Sequence, residues 1–170
     1  MTRTTEMCDK QSEVSLVQNP ALGALTIWSF VLGYCKKDIR VAAPFNLVFL
    51  VLPLVANSTF RSAINSTRSS LFKMKTKMLK DGHGSSFLLL RETAPLLYGL
   101  SSESIGVAVS ANLIKYDDPN CGFVPLRKTI PVSLSLSDKE QEYIKASKTL
   151  GRWMSQMSLW EICSTLGVVI

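Results

Sequence analysis

Gln18–Asn57 reads QNPALGALTIWSFVLGY, then the polar step CKKDIR, then VAAPFNLVFLVLPLVAN. No side chain from Gln18 to Tyr34 carries a charge, and none does from Val41 to Asn57. Two uncharged segments this close together either enter a bilayer or bury against the rest of a small protein. Crossing a hydrocarbon core of about 30 Å takes roughly 20 apolar residues. The second run is shorter and holds Pro44, Asn46 and Pro53, while the first holds Gly23, Thr26, Ser29 and Gly33. Both therefore read as buried helices, apolar on nearly every face. A small membrane protein anchored by Val41–Asn57 is the alternative.

The start signals agree with helices. Asn19 before Pro20 pairs a side chain that accepts from free amides with a residue suited to the first turn. Ala43-Pro44 is expected to open the second helix, and Pro53 to kink or end it. The first 17 residues, MTRTTEMCDKQSEVSLV, lack the apolar centre of a signal peptide and read as a loose arm. Residues 18–170 are expected to form one mainly α domain with a small β-hairpin, large enough to bury a core.

The composition narrows the function. The chain carries 19 Lys and Arg against 13 Asp and Glu, a net charge of +6 that points to an acidic partner, nucleic acid first. Its mean hydropathy of +0.19 is high for a free monomer, which suggests apolar surface held against another subunit. Cys8, Cys35, Cys121 and Cys163 are dispersed without a CxxC pair, so they read as inert packing residues rather than zinc ligands.

Phe60–Lys80, FRSAINSTRSSLFKMKTKMLK, is the most basic stretch. It holds Arg61, Arg68, Lys73, Lys75, Lys77 and Lys80 and no acidic residue. On a helix Leu71, Met74 and Met78 share one stripe, and Lys73, Lys77 and Lys80 share another about 130° around the axis. Such a cationic ridge is either a solvated face or a grip on phosphates. Lacking base-reading side chains, it would hold the backbone of double-stranded DNA rather than its sequence.

The chemistry-bearing patterns are missing. His83, the only histidine, lies in the glycine loop Asp81-Gly82-His83-Gly84, and no nucleophile–base set forms around it. Phosphate-cradling glycine motifs and HExxH are absent, so no enzyme and no cofactor are expected.

Ser85–Val109 reads as one helix interrupted near Pro95, or as two. Asp117–Gly122 is a turn between two short strands. Helices feeding a hairpin is the plan of a winged-helix domain. A DNA-reading winged helix puts basic and amide side chains on the helix before the wing. Thr93–Val109 has Glu103 and neither Arg nor Lys, which favours protein docking.

Two capping boxes mark the C-terminal helices, Ser137 with Glu140 and Ser158 with Glu161, and Gly167 is the stop. In the first of these helices Tyr143, Ala146, Leu150, Trp153, Met154 and Met157 share a face opposite Lys145, Lys148 and Arg152. Trp153 and Trp160 read first as core, with a partner interface as the alternative. Trp28, Tyr34 and Arg152 complete the candidate partner-binding set.

QNPALGALTIWSFVLGY, PFNLVFLVLPLVANSTFRSAINSTRSSL and LGRWMSQMSLWEICSTLGV, in that order, resemble the middle components of bacterial three-component ABC systems. In kind the chain is similar to the small accessory subunit of Lamassu-type anti-phage and anti-plasmid defence. The resemblance spans about Gln18 to Val168; its separate motifs are weak signatures and their order carries the specificity. It implies a non-catalytic cytoplasmic subunit, nucleoid-associated through its complex. That subunit would link an SMC-like DNA-sensing ATPase dimer to an effector nuclease. A free-standing winged-helix transcriptional regulator is the alternative.

Overall fold

Asn19 caps the first helix: its Oδ1 accepts from the amides of Ala21 at 3.1 Å and Leu22 at 3.2 Å, and α1 runs Pro20–Tyr34. The computed structural model describes residues 19–36, 41–129 and 135–169. The arm at 1–17, Cys8, and most of the extended stretch 129–136 therefore lie outside the described residues.

Helix α1 is the centre of the core. Ile27, Phe30 and Val31 are wholly buried, and its heaviest packing is against α7 (Asp138–Met154), then α6 (Tyr98–Ser110). Each fully buried large side chain contributes about 1.5–3 kcal/mol, provided the polar groups beside it find partners. They do. Thr26 Oγ1 donates to the Leu22 carbonyl, Ser29 Oγ donates to Ile144 O at 2.9 Å, and Ser147 Oγ donates to Thr26 O at 2.6 Å.

The second apolar run departs from expectation in one respect. Ala43-Pro44 is a two-residue strand, β1, and α2 begins just after it at Phe45–Ala56. Pro44 has the extended backbone of φ −55°, ψ 135°, and its missing amide suits a strand at the sheet edge. Its partner strand makes this possible, because a Cβ at Gly122 would collide with the Ala43 carbonyl. Pro53 lies inside α2 and does not end it; the helix runs on to Ala56.

Asn57 then turns the chain and caps α3 (Ser58–Ser66). Helices α2 and α3 meet at 97°. No single helix among the described residues is long and apolar enough to cross a membrane. Ser70 caps α4 (Leu71–Lys80), whose Leu71, Met74 and Met78 are buried as their spacing predicts.

Helix α5 (Ser85–Leu96) stops just after Pro95, and α6 follows as a separate helix. The hairpin consists of β2 (Ile114–Asp117) and β3 (Gly122–Pro125), with β1 added on the far side of β3 to give the antiparallel order β1-β3-β2. Both capping boxes are present, at the start of α7 and of α8 (Leu159–Leu166), and Gly167 ends α8 in the left-handed region at φ +70°. The described residues are thus mainly α with one small antiparallel sheet.

Candidate functional site

The basic stretch divides into an interior cation and an exterior set. Arg61 is only 6% exposed. Its Nη1 donates to the carbonyls of Val55 and Ala56 at 2.9 Å each, at the C-terminal end of α2 where carbonyls lack helical partners. Its guanidinium carbon lies 4.3 Å from the centre of the Tyr143 ring, and Nε is 4.0 Å from a Glu142 carboxylate oxygen. These contacts tie α2, α3 and α7 together.

Lys75 also leans on the protein. Its Nζ donates to Ser164 O at 3.5 Å and lies 5.7 Å from the Phe87 ring centre. Lys77 Nζ donates to Ser66 Oγ at 2.9 Å while remaining exposed. Arg68, Lys73 and Lys80 are exposed. The outward cations of α3, α4 and their connection are therefore Arg68, Lys73, Lys77 and Lys80.

The aromatic candidates separate likewise. Trp28 and Trp153 are buried, and Trp28 Nε1 donates to Arg127 O at 3.0 Å. Tyr34 is half-buried beside Phe30, and Arg152 is exposed. Trp160, read first as core, is 76% exposed on α8. The capping box sets where α8 begins and leaves Ile162 and Leu166 to face inward, so Trp160 turns to solvent.

A groove of about 550 Å³ has no counterpart in the sequence reading. Phe45, Phe49 and Leu50 of α2 form one wall; Arg91 and Pro95 of α5 and Tyr98 of α6 form the other, and Val168–Val169 close it. Its rings touch one another: Tyr98 stacks on Phe49 at 4.6 Å and 9°, and Phe49 meets Phe45 edge-on at 5.0 Å; outside the groove Phe45 also meets Tyr116 edge-on at 6.4 Å. Phe45 is 40% and Tyr98 57% exposed, and beside them Leu96 and Val169 stand almost free. The sequence hint was Phe45 and Phe49, four apart in a run otherwise aliphatic. Their companions Tyr98 and Arg91 come from a distant segment, so no local pattern announces the groove.

For chemistry the groups on offer are few. Among the described residues no group of three His, Cys, Asp or Glu is placed to hold a metal. The Cys35 thiol is pushed up to about 11 by burial, opposed by an interaction with the Ala43 backbone, and is a poor nucleophile near neutral pH. His83 is exposed in its glycine turn, with its amide bonded to Met78 O. What the surface offers is an aromatic groove and a row of cations, which suits binding of macromolecules.

The family model described as ABC-three component (ABC-3C) system Middle Component 3 matches residues 7–170. Neither the curated proteins nor the solved structures compared with the chain include a match.

Proposed function

The chain belongs to the ABC-three component system Middle Component 3 family, and from that membership we propose that it is a non-catalytic adaptor. It joins an SMC-like, DNA-sensing ATPase dimer to an effector nuclease in a bacterial defence complex of the cytoplasm. The observation that carries this reading is the exposed aromatic groove. Contiguous apolar surface rimmed by polar side chains is characteristic of a binding face, and the cost of leaving Phe45, Tyr98, Leu96 and Val169 in water is relieved when a partner covers them.

Two further features support it. The order helix, short strand, helices, hairpin, with strands arranged β1-β3-β2, fits a winged-helix plan elaborated by extra helices. In that plan α6 precedes the hairpin and carries Glu103 without any Lys or Arg, so it suits contact with protein better than reading of DNA. Lys73, Lys77 and Lys80 then supply auxiliary contact with the DNA backbone held by the ATPase.

Co-expression with the genes on either side, followed by size exclusion with mass determination, tests the reading. A stable complex of defined stoichiometry is expected, and the isolated chain should hydrolyse neither ATP nor DNA. A lone chain that is monodisperse, indifferent to its neighbours and tightly bound to an operator would overturn the adaptor in favour of a transcriptional regulator.

A further inference from the structure

The groove restricts what can fill it. Its walls are drawn from α2, α5 and α6, whose backbone groups are mostly engaged within their own helices apart from the first-turn amides of α2, and no strand among the described residues lines it. An extended peptide laid there would bury backbone groups without partners, which is costly. A helix brings its backbone bonds with it and inserts side chains from successive turns.

The groove is also charged in one place. Among the described residues Arg91 is the only ionic side chain lining it. Arg91 is exposed, and among the described residues it has neither a salt bridge nor a hydrogen bond to another side chain. The adjacent wall begins at Phe45, where α2 starts without any side-chain cap, so its first-turn dipole adds to the positive potential. An occupant with a carboxylate at this point gains a forked, directional contact that an uncharged one lacks.

A second copy of this chain fits poorly. A two-fold interface centred on this groove would bring the Arg91 side chains of both copies close together, in a chain of net charge +6. Like charges opposed across an interface are costly.

We infer that the groove receives an amphipathic helix of a partner subunit, its apolar side chains laid along Phe45, Phe49 and Tyr98 and one carboxylate paired with Arg91. The inference rests on the adaptor reading and names the chemistry of the partner segment.

The test uses the complex purified after co-expression, with a photoreactive residue in place of one ring, Tyr98→p-benzoylphenylalanine. Mass spectrometry of the cross-link should identify a helical partner segment with an Asp or Glu within two turns. Arg91→Glu should weaken association at least about tenfold, and changing that carboxylate to Lys should restore it. Circular dichroism on Arg91→Glu should match the parent, since the side chain lies at the surface. Cross-links to a second copy, to DNA, or to a segment lacking a carboxylate would overturn the inference, as would a charge swap that fails to restore binding. In each of those cases the adaptor reading survives, because the complex has formed. Absence of any complex removes both.

Discussion

The carbonyl oxygen of Lys148 occupies the space in which a side chain on Gly33 would have to begin. The carbonyl of Phe30 does the same to Gly151. Helices α1 and α7 thus cross backbone against backbone, and each supplies one of the two glycines. Gly33→Ala and Gly151→Ala are each expected to destabilise the fold by about 1–3 kcal/mol through forced separation of the helices. Gly99, with open space around it on α6, is the control: Gly99→Ala should be neutral or raise stability by roughly 0.5–1 kcal/mol. Urea titration of the three variants decides, and equal midpoints for Gly33→Ala and the parent would refute the crossing.

Arg61 is expected to behave as a structural residue. Arg61→Ala leaves the Val55 and Ala56 carbonyls without their donor and should cost about 2–3 kcal/mol. Arg61→Lys should recover only part of this: an ammonium can donate to both carbonyls as Nη1 does, but it lacks the flat guanidinium over Tyr143 and the Nε that faces Glu142. Lys73→Ala, at the surface, should fall within about 0.5 kcal/mol of the parent. Thermal or urea unfolding of the three distinguishes interior from exterior cation.

The Cys35 thiol yields a pH prediction. Its ordinary value is 9.0 and the fold holds it at about 11, so the folded state retains the proton that the unfolded chain gives up. The resulting stability is fully present below pH 9 and is lost as pH rises through 11. Cys35→Ala should abolish this alkaline component of the stability profile. At pH 8, iodoacetamide should modify exposed Cys121 well before Cys35, as read by peptide mass spectrometry. Prompt labelling of Cys35 in the folded protein would count against its burial.

The proposed DNA contact of the α4 lysines is tested on the assembled complex. Triple reversal, Lys73→Glu with Lys77→Glu and Lys80→Glu, is expected to lower DNA affinity of the assembled complex while leaving it intact. The slope of log affinity against log salt should shrink by roughly 0.9 for each phosphate that is no longer neutralised. An unchanged slope would make the row a solvated face.

What the sequence disclosed was whatever is encoded locally. Asn19-Pro20, the two Ser–Glu boxes, Pro95 and Gly167 each act through neighbours within a few positions, and the corresponding boundaries of α1, α5, α7 and α8 follow. The stripe Leu71, Met74, Met78 is legible for the same reason. What stayed hidden depends on distant partners. Ala43-Pro44 becomes a strand because Gly122 and Phe123 arrive beside it. Arg61 looks like one more cation until Val55, Ala56 and Tyr143 enclose it. The groove needs rings from α2 and α6 and a wall from α5, and a run as apolar as FNLVFLVLPLVA gives no sign that its first turn faces outward.

The central place of α1 has a cost during synthesis. The helix emerges from the ribosome early, yet α7, the neighbour it packs against most, is about 100 residues downstream. At roughly 5–20 residues per second, this oily nascent segment waits on the order of ten seconds before its shelter exists. Holding chaperones, or a subunit translated nearby, would cover it in that interval, so exposure during synthesis is a separate demand on this fold from its equilibrium stability.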